Sequence, residues 1–117
     1  MIDRLSRRDD FQALRREGCA VRRGPLEVVY RSNAEPSTGI RVAFAIGRSV
    51  GTAVVRNRAR RRLRVVMNEL DVERNGLPTG DYLIRVDPSG ANADSEDFRL
   101  HLKTALNLLR VKQEDGV

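Results

Sequence analysis

The chain has a single cysteine, a single histidine, no tryptophan and only two lysines, Lys103 and Lys112. Cys19 has no partner for an internal disulfide, so the expected compartment is a reducing cytoplasm. Cys19 also follows a predicted helix C-terminus rather than preceding an N-terminus, and reads as a small filler. His101 falls on a predicted helix with a structural face. No Cys/His set has metal-ligand spacing. No apolar run approaches the roughly 18–20 residues that cross a bilayer, and MIDRLSRRDDF lacks the apolar stretch of a signal peptide. No membrane and no obligate protein partner are expected. The clusters Asp9–Asp10 and Asp94, Glu96 and Asp97 lie in first turns of predicted helices, where they complement the helix dipole. These absences leave no protein-borne active site.

Acid is missing locally as well. No Asp or Glu occurs from Pro36 to Asn68, while Arg41, Arg48 and six arginines between Arg56 and Arg64 occur there. The flanks are nearly balanced, with eight basic and six acidic residues before that stretch and six basic and ten acidic after it. The middle third therefore carries the excess of +6. Arginine supplies 20 of the 22 basic residues, and its planar fork pairs with phosphate and stacks on bases. A GC-rich genome accounts for the ratio equally well; it does not account for the clustering.

At 117 residues the expectation is one domain over 1–117, with residues 1–5 and 113–117 as loosely held ends. Ser6, with Asp9 at the capping-box position, predicts a short helix that Gly18 stops. A short strand is expected at 20–23 and another at LEVVYR (26–31). The turn cluster SNAEPSTG (32–39) is followed by the alternating strand IRVAFAI (40–46). These last two strands are expected to pair antiparallel. In the basic helix, Val55, Ala59, Leu63, Val66 and Leu70 form a stripe roughly 80° wide. Arg60, Arg64, Asn57 and Arg61 lie opposite, with Arg58 and Arg62 at one shoulder and Arg56 at the other. DYLIRV (81–86) reads as a buried central strand. A last helix, capped near Asp94 or Ser95, buries Phe98, Leu102, Ala105 and Leu109. The fold class is α+β, order α-β-β-β-α-β-α, with about four strands and three helices.

A one-sided arginine face without compensating acid carries repulsion at i,i+4 that an isolated domain has no reason to keep. It points to a polyanion. Asn57 is open to several roles: phosphate, base edge, metal-bound water or helix cap. Of the five aromatic residues, each taken alone reads as core before stacking platform.

The stretch RVAFAIGRSVGTAVVRNRARRRLR (41–64) resembles the signature of the bacterial ribonuclease P protein subunit. The matches are Arg41-Val42, Arg48, Val50-Gly51, Ala53-Val54, Arg56-Asn57-Arg58, Arg60-Arg61 and Arg64. Arg4-Leu5, Asp10-Phe11 and Arg16-Glu17-Gly18 resemble the family's opening helix, and Asp81-Tyr82 its fourth strand. The resemblance implies an α/β sandwich with a left-handed connection between parallel strands, against the usual hand. It implies an RNA subunit that removes the 5′ leader of precursor tRNA with Mg²⁺ held mainly by RNA. The partners would be ribonuclease P RNA and precursor tRNA. Arg48, Arg56, Asn57, Arg58, Arg60, Arg61 and Arg64 would contact RNA, with Asn57 reaching a metal only through water. Phe11, Arg15, Tyr30 and Phe44 would line a leader-binding cleft. The chain departs from the pattern at Ser49, where a basic residue is usual, at Ala43, where glycine is, and at Arg15, which replaces a second aromatic. The charge alone would equally suit a ribosomal or assembly protein, or a DNA-binding protein using the arginine helix in a major groove.

Overall fold

The computed structural model describes residues 2–32, 39–73 and 76–115. Most of the predicted turn at 32–39 lies outside the described residues, as do Asn75 and the last two residues of the tail. The elements are β1 (Ile2–Arg4), α1 (Arg8–Glu17), β2 (Cys19–Arg23), β3 (Leu26–Arg31), β4 (Ile40–Ile46), α2 (Ala53–Asp71), β5 (Gly80–Val86) and α3 (Ser95–Asp115). One five-stranded sheet has the order β1-β4-β5-β3-β2. The fold is α+β, as expected, with one strand more than the sequence pattern indicates. The extra strand is β1, a three-residue edge parallel to β4.

The predicted β3–β4 pairing is not formed. β5 lies between them, antiparallel to β3 and parallel to β4. A strand apolar on both faces belongs in the centre, and all of β5 is buried except Arg85. The eight-residue segment after β3 is long enough to step over an intervening strand, about 10 Å at the usual spacing.

Strand alternation sorts side chains onto two faces. Val28, Tyr30, Val42, Ile46, Tyr82 and Ile84 meet Ala59, Leu63 and Val66 of α2 and Phe98, Leu102 and Leu109 of α3 in the main core. Val29, Ala43 and Leu83 face the other way, onto Leu5, Leu14 and Phe11. Among the described residues, α1 is the one helix on this second face, with Leu5 beside it.

The caps differ in part from expectation. Arg7, not Ser6, precedes α1, and no side chain caps that helix. Gly18 does stop it, its N–H donating to the Leu14 carbonyl at 2.8 Å. A Cβ there would lie 2.3 Å from the Leu14 carbonyl oxygen and 2.7 Å from Val29, so close packing requires the glycine. Thr52 caps α2, its hydroxyl accepting from the Val55 N–H at 3.4 Å, which removes helix capping from the roles open to Asn57. Asp94 and Asp97 form a reciprocal capping box at α3, each carboxylate accepting the other's N–H, at 2.9 and 3.2 Å.

One charged row crosses the α1 face. The register aligns Arg31, Asp81 and Arg41 on three adjacent strands. Asp81 has no solvent exposure. Its Oδ2 accepts from Arg31 Nη2 at 3.0 Å and Arg41 Nη2 at 2.8 Å, and its Oδ1 from Arg41 Nε at 2.8 Å. Those bonds hold both guanidinium pKa values above the ordinary arginine value, against the opposing effect of burial. Gly80 permits this strand start at φ +150, and a Cβ on it would lie 2.5 Å from the Arg31 carbonyl oxygen. Asp81→Ala, which leaves two cations facing each other across β5, is expected to cost about 3 kcal/mol of stability, read as a lowered urea midpoint.

Candidate nucleic-acid interface

α2 buries Ala59, Leu63, Val66, Met67 and Leu70, the expected stripe with Met67 added, while Val55 is only half-buried. Its arginines then fall into two groups. Arg58 Nη2 donates to the Ala91 carbonyl at 3.3 Å, and Arg62 Nη1 to the Ala93 carbonyl at 2.6 Å. Both lie on the shoulder that leans on the segment before α3, and both tie the helices together. Arg60 Nη1 donates to Asn57 Oδ1 at 2.8 Å, one turn along the open side. Arg48, Arg61 and Arg64 are exposed and have no hydrogen bond or ion pair within the described residues. Arg56 is half-buried, with its Nε enclosed.

The acids of α2 come only after this region. Glu69 pairs with Arg99 and Glu73, just past the helix end, with Lys103, both on α3. The N-terminal half of α2 is therefore wholly cationic, at the end where the macrodipole already favours anions. Such an arrangement works against the isolated helix and favours a bound anion.

A groove of about 650 Å³ runs along the β1–β4 edge of the sheet. Phe11 of α1 lines it from one face, and Arg60, Arg64, Met67 and Asn68 of α2 from the other. Ile2 to Ser6 and Val42, Ala43 and Phe44 complete the lining. Four residues singled out in the sequence thus converge: Phe11 and Phe44 with Arg60 and Arg64. Apolar rings beside guanidiniums form the combination that holds single-stranded nucleic acid, by stacking and phosphate pairing.

Other expected residues stand elsewhere. Tyr30 is a correction: it is 4% exposed, on the α2–α3 side of the sheet. Its hydroxyl donates to the Thr79 carbonyl at 2.5 Å and its ring centroid is 4.8 Å from that of Tyr82. β5 separates β3 from the β1–β4 edge, and no residue of β3 lines the groove. Arg15 is exposed on α1 and Arg48 lies on a short 3₁₀ turn (Arg48–Val50); neither lines the groove. Arg41, one of the eight charges of the basic stretch, is spent on Asp81 and Asp10. Of the β1 segment only Arg4 was singled out, with Leu5, as part of the opening helix, which begins instead at Arg8; Met67 and Asn68 were not singled out. A three-residue strand has too short a pattern to read, and the other two carry no distinguishing signal.

The remaining candidate chemistry is structural. His101 packs its ring over Gly24, in the turn between β2 and β3. Cys19 is a half-buried free thiol beside the main core. Among the described residues no cluster of three or more His, Cys, Asp or Glu could hold a metal. Asn57 fits an ion poorly, since its oxygen accepts from Arg60 and guanidiniums surround it. No described helix is long and apolar enough to cross a membrane.

The family model described as Ribonuclease P matches residues 2–110. The ribonuclease P protein component of Listeria monocytogenes is 32% identical over 111 residues, covering 95% of this chain and 91% of that protein. Its counterpart in Streptomyces avermitilis is 35% identical over 115 residues, covering 92% and 91%. The RNase P protein of Staphylococcus aureus superposes with a TM-score of 0.77 at 18% identity, covering 90% of this chain and 93% of that one. That of Thermotoga maritima gives 0.71 at 25%, covering 92% and 94%. The basic helix, the sheet and the resemblance of residues 41–64 lead to the same place: this chain belongs to the bacterial ribonuclease P protein family, whose members are subunits of the ribonucleoprotein that matures tRNA 5′ ends.

Proposed function

We propose that this chain presents precursor tRNA to a catalytic ribonuclease P RNA, gripping the 5′ leader in the β1–β4 groove while the open side of α2 lies against RNA phosphate. The observation that carries this reading is the meeting of Phe11, Phe44, Arg60 and Arg64 around one groove. A single strand can offer unstacked bases to rings and phosphates to arginines at once; a duplex hides its base faces. The endonucleolytic step belongs to the RNA, because neither His101 nor Cys19 lines the groove and neither is poised as a base or nucleophile. Mg²⁺ stays with RNA oxygens, as the donor set around Asn57 disfavours a dication, and no protein step passes through the ion. Membership of the family sets aside the ribosomal and DNA-binding alternatives.

Arg61 and Arg64 on the helix and Arg48 before it serve as phosphate contacts, and Arg60 reaches both the groove and Asn57. Asn57 keeps its amide N–H groups for a backbone or base-edge oxygen. Arg58 and Arg62 contribute charge, but their geometry is first that of interhelical ties.

Cleavage by the reconstituted holoenzyme, measured on precursor tRNAs with zero to several leader nucleotides, is expected to show a protein-dependent gain that grows with the first few nucleotides. A gain independent of leader length would remove the leader from the groove. Alanine at Arg60 and Arg64 together should lower the slope of log affinity against log salt by about 0.7–0.9 per lost contact. Arg62→Ala should instead lower the stability of the free protein by about 1 kcal/mol through its lost carbonyl bond, with Arg61→Ala changing it by less than about 0.5 kcal/mol in the same urea titration.

A further inference from the structure

Asp81, Arg41 and Asp10 form a continuous path from the centre of the sheet to the residue beside Phe11. Arg41 takes Asp81 in a two-pronged grip and turns Nη1 to Asp10 Oδ2 at 3.2 Å and Nη2 to Asp10 Oδ1 at 3.4 Å. Arg31 acts similarly at the other end of α1, from Asp81 to Glu17 Oε2 at 3.3 Å. One sealed carboxylate thus anchors two guanidiniums, and each holds one end of the same helix.

The two ends are not equivalent. The side chains of Arg41 and Asp10 are 21% and 17% exposed, whereas Glu17 is 53% exposed and its pair is open to solvent screening. The Asp10 end is also the end that carries Phe11. Apolar contacts hold α1 less firmly, since only Ala13 and Leu14 of its ten residues are buried. A helix resting on so narrow a seam can roll, and each residue is set 100° around the axis from the next. A roll of a few tens of degrees would swing Phe11 out of the groove. A planar fork fixed on a buried carboxylate resists that rotation, because its hydrogen bonds are directional.

We propose that Asp81, Arg41 and Asp10 are positioning residues that set the roll of α1 and so the presentation of Phe11 to a nucleotide in the groove. None of the three lines the groove. The proposal rests on the reading of the groove as the leader site, and its test separates the two.

Protein labelled with fluorophenylalanine carries three reporters, at Phe11, Phe44 and Phe98, with Phe11→Leu assigning the first. In the free protein, Asp10→Asn and Arg41→Lys are expected to shift or broaden the Phe11 resonance and leave that of Phe98 in place. A Phe11 resonance unmoved in both variants overturns the proposal, whatever the groove binds. In the holoenzyme, Asp10→Asn should raise KM roughly fivefold for a leader-bearing precursor, the scale of a weakened base stack, with kcat and the turnover of leaderless substrate unchanged. Placed on Phe11→Ala, Asp10→Asn should add nothing to KM. A penalty that persists undiminished without the ring also overturns the proposal. Wild-type cleavage indifferent to leader length, together with a displaced Phe11 resonance in the variants, would uphold the clamp and overturn the leader reading.

Discussion

A carboxylate sealed from water must be met by donors on every side, and Asp81 imposes that requirement on the middle of the sheet. Only one register meets it. Shifting β3 or β4 by one residue against β5 would turn an arginine away from Asp81 and drive its charge toward the α2–α3 core. The Arg31–Asp81–Arg41 row therefore does for the sheet what a polar residue in a helical seam does for a coiled coil: it selects one arrangement among several of similar burial. That choice sends Tyr30 and Tyr82 into the main core and sends Leu83 and Val29 under α1.

Arginines in this chain serve two purposes that composition does not separate. Arg31 and Arg41 satisfy an internal acid, and Arg58 and Arg62 satisfy carbonyls in the approach to α3. Arg48, Arg60, Arg61 and Arg64 remain outward. The charge available to a polyanion is thus smaller than the run suggests, and it is better placed. Cations gathered at the positive end of the α2 dipole weaken the free helix, and phosphate at the same place removes the repulsion. This is the usual sign of a surface shaped for a ligand at some expense of intrinsic stability.

What the sequence made legible follows from signal length. α2 and its buried stripe could be read because 19 residues give several periods of the pattern. The central place of β5 could be read from its mostly apolar run. Neighbours along the chain suggested a β3–β4 pair, but the strand that separates them is supplied from about 40 residues later, which local pattern cannot see. Tyr30 was misplaced for the same reason: β5 stands between β3 and the β1–β4 edge, so no β3 residue lines the groove. Arg41 and Asp10 were counted with the charge runs that hold them, although each is paired across the fold rather than with its neighbours.

The departures from the family pattern bear on how the groove works. With Arg15 in place of a second aromatic, α1 offers Phe11 as its one ring, and Phe44 is partly committed to the main core. A site with several rings can lose the angle of one and keep its grip. A site with one mobile-side ring depends on how the helix that carries it is seated. The seat is built from the most buried charge in the described structure, through a guanidinium whose hydrogen bonds fix direction as well as distance. Fewer aromatics therefore place a greater demand on the ion network beneath α1, and Arg41, which the sequence counts only among the charges of the basic stretch, meets that demand from inside the fold.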